Sequence, residues 1–186
     1  MTPITLAAVL LTALVGPLAD PAPAARPARI ILIRHAEKPA DKSNPHLSPA
    51  GERRAGWLVS FITKDSTMTR FGMPAAIFAT RTTKDDNGQR TQETVAPLAK
   101  ALNLPVQTPY LGRSYAKLAK LVLTNPEFTG KTVLICWNHE QIPELVEALG
   151  VSPGPGKWKQ SVYDRVYIIS YTGDAATLAT SRYDIR

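Results

Sequence analysis

A single cysteine, Cys136, in 186 residues leaves no partner for an intramolecular disulfide and no basis for a cysteine-built zinc site. Histidine is nearly as sparse, with only His35, His46 and His139. Acidic residues number 15 against 22 basic ones, so the formal charge is +7 and the chain favours anionic partners. The basic residues are scattered, as Arg53-Arg54, Lys64, Arg70, Lys84, Lys117, Lys120 and Lys157. Without a dense basic helix or an aromatic-rich RNA-binding signature, nucleic acid is not the expected partner, and a small anion is. No internal repeat occurs, and 44% hydrophobic with 20% charged residues is ordinary for a globular domain.

Long apolar runs are also scarce. The run over residues 4–15 has the length of a signal-peptide core and falls short of the roughly 20 residues a membrane span needs. Gly16-Pro17 and the small-residue stretch Ala22-Pro23-Ala24-Ala25 follow it, the pattern of a cleavage site, although Met1-Thr2-Pro3 lacks the usual positive charge. Residues 1–27 are therefore expected to be a signal peptide with a Pro/Ala-rich linker, and residues 28–186 one domain. The expected location is periplasmic or secreted, with the cytoplasm as the alternative.

What is present is a set of short apolar runs that end in polar chemistry. Ile30 to Ile33 is apolar at every position, the mark of a strand buried on both faces in a parallel sheet, and it delivers Arg34-His35 to its carboxyl end. Open α/β sheets bind ligands just there. Thr132 to Trp137 repeats the design and ends at Asn138-His139-Glu140, while Ala75 to Thr80 is a third such run. Ser48-Pro49 starts a helix reaching about Thr63, with Trp57, Leu58, Phe61 and Ile62 on its buried face and Glu52, Arg53 and Arg54 toward water. Further helices are expected from Gln89 to about Leu102 with Asn103 as cap, from Ser114 to Leu123 and from Pro143 to Leu149. Two strands, Val162 to Tyr171 and Ala176 to Tyr183, read as a closing hairpin after a Gly/Pro-rich turn over residues 150–156. Strands alternating with helices define an α/β fold, a three-layer α/β/α sandwich with a mostly parallel central sheet.

Arg34, His35, Arg90 and His139 thus sit at strand ends or in the helix turn that follows, and their convergence would surround a tetrahedral phosphoryl group with donors. In this respect the sequence resembles the histidine phosphatase superfamily, also called phosphoglycerate mutase-like. Arg34-His35-Ala36-Glu37 is similar to its Arg-His-Gly signature, with Ala in the Gly position. Leu47-Ser48-Pro49-Ala50-Gly51-Glu52-Arg53-Arg54-Ala55 is similar to its helix start, Arg90-Thr91-Gln92-Glu93-Thr94 to its second arginine segment, and His139 to its late strand-end histidine. The likeness spans residues 29–150.

The resemblance implies a phosphoglycerate mutase-like fold and a nucleophilic His35 that forms a phosphohistidine. Arg34, Arg90 and His139 would then hold the phosphoryl oxygens. No metal or cofactor is expected; a His35/His46/His139 site is disfavoured because the flanking arginines repel a divalent cation. The proton donor departs from the familiar branch: between Arg90 and His139 the acidic residues are Glu93 and Glu127, neither well placed. Glu140, beside His139, resembles the acid of the branch of acid phosphatases and phytases, with Glu37 and Asp86 behind it. Glu37 and Lys38 at the start of the loop, and Arg81 and Lys84 in the polar stretch before Arg90, are candidates to touch substrate. The expected function is a metal-independent phosphomonoesterase acting on a small phosphorylated substrate. The alternatives are a phosphoglycerate mutase-like phosphotransferase and a catalytically idle phosphate-binding module.

Overall fold

The structure is a computed structural model that describes residues 26–183 apart from 42, 71 and 85–87. Residues 1–25 of the expected signal and linker segment, and Asp86, lie outside the described residues.

Strand β1, Arg29–Arg34, is buried at all six positions, as a run of β-branched residues without polar alternation requires. Its side chains alternate between two cores: Ile30 and Leu32 join one cluster, Ile31 and Ile33 the other. The same division holds in β4, Thr132–Trp137, where Val133, Ile135 and Trp137 face one side and Leu134 and Cys136 the opposite one. Each fully buried Ile or Leu contributes roughly 1.5–3 kcal/mol of hydrophobic stabilisation, and β1 and β4 are buried at every position.

Around them lie β2, Pro74–Ala79; β3, Val106–Gln107; β5, Arg165–Thr172; and β6, Ala175–Arg182. The six-stranded sheet has the order β3-β2-β4-β1-β5-β6. The β3–β2, β2–β4 and β4–β1 pairs are parallel; β5 and β6 close the far edge as antiparallel strands. Arg34 pairs with Trp137, so β1 and β4 end level and release Arg34-His35 and Asn138-His139 side by side.

Helices cover both faces. On one lie α1, Pro49–Lys64, the single-turn α2, Ser66–Thr69, and α3, Gln89–Leu102, through Leu58, Ile62, Met68, Val95 and Leu98. On the other lie α4, Tyr115–Thr124, and α5, Ile142–Ala148, through Leu118, Val122, Ile142, Leu145 and Val146. Ser48 caps α1 by accepting the Gly51 N–H at 3.1 Å, with Pro49 opening the first turn. Gly51 is required by closeness: a Cβ there would lie 2.4 Å from the Glu37 carbonyl oxygen, which already accepts from Ser48 N–H at 2.9 Å. Asn103 ends α3 in the left-handed region at φ 53°. No helix of the described residues is long and apolar enough to cross a membrane.

Three local expectations change. Trp57 is 38% exposed, because the buried stripe of α1 runs through Gly51, Ala55, Leu58 and Ile62 and leaves position 57 on its flank. Arg54 turns inward to an ion pair with Glu37 instead of facing water. The hairpin begins at Arg165, and residues 162–164 belong to the segment that precedes it.

Candidate active site

The carboxyl ends of β1 and β4 open into a cleft of about 190 Å³ lined by Arg34, His35, Lys38, Arg90, Asn138, His139, Glu140 and Gln160. Arg34, His35, Arg90, His139 and Glu140 are thus brought together from three separate parts of the chain. The cleft is smaller than the roughly 300–1,000 Å³ that whole organic ligands occupy, a size suited to a phosphoryl group. His139 and Glu140 also line an adjoining cavity of about 370 Å³ with Pro143, Glu144, Gly156, Lys157 and Trp158, so a ligand bound in the cleft has room to continue past them.

His35 is 7% exposed. Its Nδ1 lies 2.7 Å from the Ala36 carbonyl oxygen. A carbonyl only accepts, so Nδ1 carries the proton and Nε2 keeps its lone pair. Burial drives the His35 pKa down to about 3; the bond to Ala36 opposes this, and Arg34, Arg90 and His139 add to the depression. The imidazole is therefore neutral and nucleophilic across the ordinary pH range. The Arg34 guanidinium reaches this ring, with Nη2 donating to Nε2 at 3.3 Å. Ala36 replaces the glycine of the signature without strain, since it is not among the residues with positive φ.

Arg90 stands in the first turn of α3, and its Nη1 donates to the Asn44 carbonyl at 2.9 Å. The turn is fixed to β1 through Thr94, whose hydroxyl donates to the Arg90 carbonyl at 2.7 Å and accepts the Ala36 N–H at 2.8 Å. The spacing of Arg90 and Thr94 thus has a mechanical meaning: one helical turn carries both the cation and its tie to the segment that follows His35. His139 follows β4, and its ring centroid lies 6.4 Å from that of His35 at a steep 80°. Burial lowers its pKa, reinforced by Arg34, opposed by Glu140 and lowered further by Lys38. A neutral His139 offers one N–H to an anion. Glu140 is the exposed carboxyl at the rim.

Three expected substrate contacts are placed elsewhere. The Glu37 carboxylate is gripped by Arg54, through Nε at 2.9 and 3.0 Å and Nη2 at 2.6 Å. A carboxylate so occupied serves as a structural counter-ion, and it does not line the cleft. Burial disfavours the Arg54 charge, but the hydrogen bonds and charge of Glu37 prevail and raise its pKa. Arg81 spends its guanidinium on the carbonyls of Thr108 and Pro109, bracing the segment after β3. Lys84 lines a different cavity, with Pro45, His46, Thr82, Thr83 and Gln89. His46 pairs with Glu93 at 2.5 Å, and the Leu47 N–H donates to the same carboxylate at 2.9 Å. Burial works against the Glu93 charge, but these bonds and one from Gln89 outweigh it and hold its pKa low.

Asn138, Gln160 and the ring of Tyr163 complete the surroundings without having been singled out by sequence. Asn138 carries a usable signal, since it shares a strand end with His139; Gln160 and Tyr163 carry none. Tyr163 lies over Arg34 with its ring centre 4.0 Å from the guanidinium carbon.

The sheet order, the paired strand ends and the helix layers form a phosphoglycerate mutase-like fold. The chain superimposes on the candidate phosphohistidine phosphatase SixA of Agrobacterium tumefaciens with a TM-score of 0.54 and 14% identity, covering 85% of this chain and 99% of that one. A SixA candidate from Nakamurella multipartita gives a TM-score of 0.45 at 18% identity, over 83% and 95% of the two chains. A mycobacterial glucosyl-3-phosphoglycerate phosphatase, solved with inorganic phosphate, gives 0.45 at 13% identity, over 85% and 97%. No family model and no curated protein matches the chain.

Proposed function

We propose that the protein is a phosphomonoesterase working through a phosphohistidine at His35. The observation that carries this reading is the pairing of a buried, neutral imidazole, its Nδ1 tied to Ala36, with the cations Arg34, Arg90 and Lys38 around one small cleft. Cations and neutral imidazoles with one rim carboxylate form a donor set for an anion, and the reaction is read as needing no divalent metal.

In the first step the Nε2 lone pair attacks phosphorus, the P–O ester bond breaks, and its electron pair leaves with the alkoxide oxygen. Glu140, in its protonated form, gives that oxygen a proton. Water then attacks the phosphohistidine, the P–N bond breaks, and inorganic phosphate departs while Glu140 regains a proton. Arg34, Arg90, Lys38 and His139 stabilise the equatorial oxygens in both steps, which is positioning and electrostatics more than bond chemistry. The leaving group extends toward the cavity beyond His139 and Glu140, which fits a small phosphorylated substrate.

The test is hydrolysis of para-nitrophenyl phosphate by the purified protein in EDTA. Activity should persist, and His35→Ala should abolish it. Activity that EDTA removes would overturn the metal-independent reading. Phosphate binding without turnover would favour an idle binding module.

A further inference from the structure

The segment between α5 and β5 forms one wall of the cleft, and it is built as an anchored turn. Trp158 is 5% exposed and packs edge-on against Tyr167 of β5, with ring centroids 5.0 Å apart. Its indole N–H donates to the Val162 carbonyl at 2.8 Å, while the Val162 N–H donates to the Lys159 carbonyl at 3.1 Å. Arg165 lies over the indole at 5.1 Å. The buried tryptophan therefore fixes the turn that carries the Gln160 and Val162 carbonyls.

Those carbonyls point at Arg34. Its Nη1 donates to Gln160 O at 2.6 Å and to Val162 O at 3.2 Å. The Tyr163 ring lies on the guanidinium at 4.0 Å, and its centroid is 6.1 Å from that of His35. Arg34 is only 1% exposed, yet its chain is long and its fork has many ways to turn. The two carbonyls fix one end of the fork, the ring fixes its plane, and the remaining end, Nη2, rests 3.3 Å from His35 Nε2. That is the edge where a phosphoryl group leaving or joining Nε2 develops charge.

We propose that Tyr163 is a positioning residue: its ring, carried by the Trp158-anchored turn, holds the Arg34 guanidinium in the plane that serves phosphoryl transfer. The proposal rests on the phosphatase reading and adds to it a role for a residue outside the strand ends. Tyr163 acts through Arg34, by a cation–π contact in a partly dry site and by excluding water from the guanidinium face.

The experiment compares Tyr163→Leu with Tyr163→Phe on para-nitrophenyl phosphate. Losing the ring should lower kcat by about tenfold with a smaller change in KM, and Tyr163→Phe should recover most of that loss. In an Arg34→Lys background, where the planar fork is already gone, Tyr163→Leu should add little further loss. An equal loss in both backgrounds, no loss from Tyr163→Leu, or no recovery in Tyr163→Phe would overturn the proposal. Tyr163→Met is a second ring-less variant, with a longer and more adaptable side chain, if thermal melting shows that the Leu variant is unfolded. Should the wild type turn over no phosphomonoester, the phosphatase reading fails by itself. The clamp is then judged by calorimetric binding of inorganic phosphate, weakened in Tyr163→Leu and restored in Tyr163→Phe; equal binding in all three would overturn it.

Discussion

The Thr94 hydroxyl accepts the Ala36 N–H at 2.8 Å, joining the first turn of α3 to the loop that carries His35. Ala36 is fully buried, so without Thr94 its N–H has no water to turn to. Thr94→Val keeps the shape and removes the hydroxyl. Stability should fall by about 2 kcal/mol, the cost of one unsatisfied buried donor. kcat/KM should fall roughly ten- to hundredfold as Arg90 and His35 lose their register. Denaturant unfolding and steady-state kinetics on one preparation check both; a stability loss with unchanged kinetics would confine Thr94 to structure.

Protonation of His35 should be visible in the pH dependence of folding. The unfolded chain takes up a proton near the ordinary value of 6.5, whereas the folded one does so only near 3. The unfolded state therefore binds more protons throughout that window, and stability present above pH 6.5 is lost as pH falls through it. The slope from this one group is about 1.4 kcal/mol per pH unit at most, and the lowered pKa of His139 adds with the same sign. His35→Gln should flatten the slope; an unchanged profile would show that the ring is not buried neutral.

Kinetics should complement this. Because His35 stays unprotonated down to about pH 3, an acid limb of kcat/KM between pH 4 and 7 must come from the substrate phosphate or from other groups.

Glu37 and Arg54 separate a structural carboxylate from a substrate-binding one. Their side chains are 21% and 12% exposed. Glu37→Gln should lower stability by about 2 kcal/mol with KM for para-nitrophenyl phosphate nearly unchanged. A raised KM at full stability would return Glu37 to the substrate.

Glu140 should reveal itself through the leaving group. Glu140→Gln should slow an alkyl phosphate by about a hundredfold or more while para-nitrophenyl phosphate, whose phenolate departs without a proton, is little affected. Parallel losses on both would assign the acid elsewhere.

The strands of the site were legible because parallel strands buried on two faces must be written as unbroken apolar runs, as β1 and β4 are. Arg34-His35 and His139 stand where those runs stop, and Arg90 where a helix starts, so periodicity alone placed them at one edge. Glu37 misled because its neighbour in sequence is the Arg34-His35 pair while its partner, Arg54, lies 17 residues away across a loop. Arg81 misled for a similar reason: its ligands are the carbonyls of Thr108 and Pro109, and backbone acceptors leave no mark in a sequence. The Gln160 and Val162 carbonyls that bind Arg34 are invisible in the same way, so the stretch between the Gly/Pro-rich turn and β5 concealed a wall of the site.

Cys136 lies on β4 three residues before His139, fully buried, and burial drives its thiol pKa far above the ordinary value. Thiolate is the species that alkylating reagents capture, so the folded protein should resist them. The rate of alkylation under native conditions then measures how often β4 leaves the sheet. As the only sulfhydryl in the chain, Cys136 gives an unmodified protein a built-in clock for the opening of the strand that leads to His139, and bound phosphate should slow that clock.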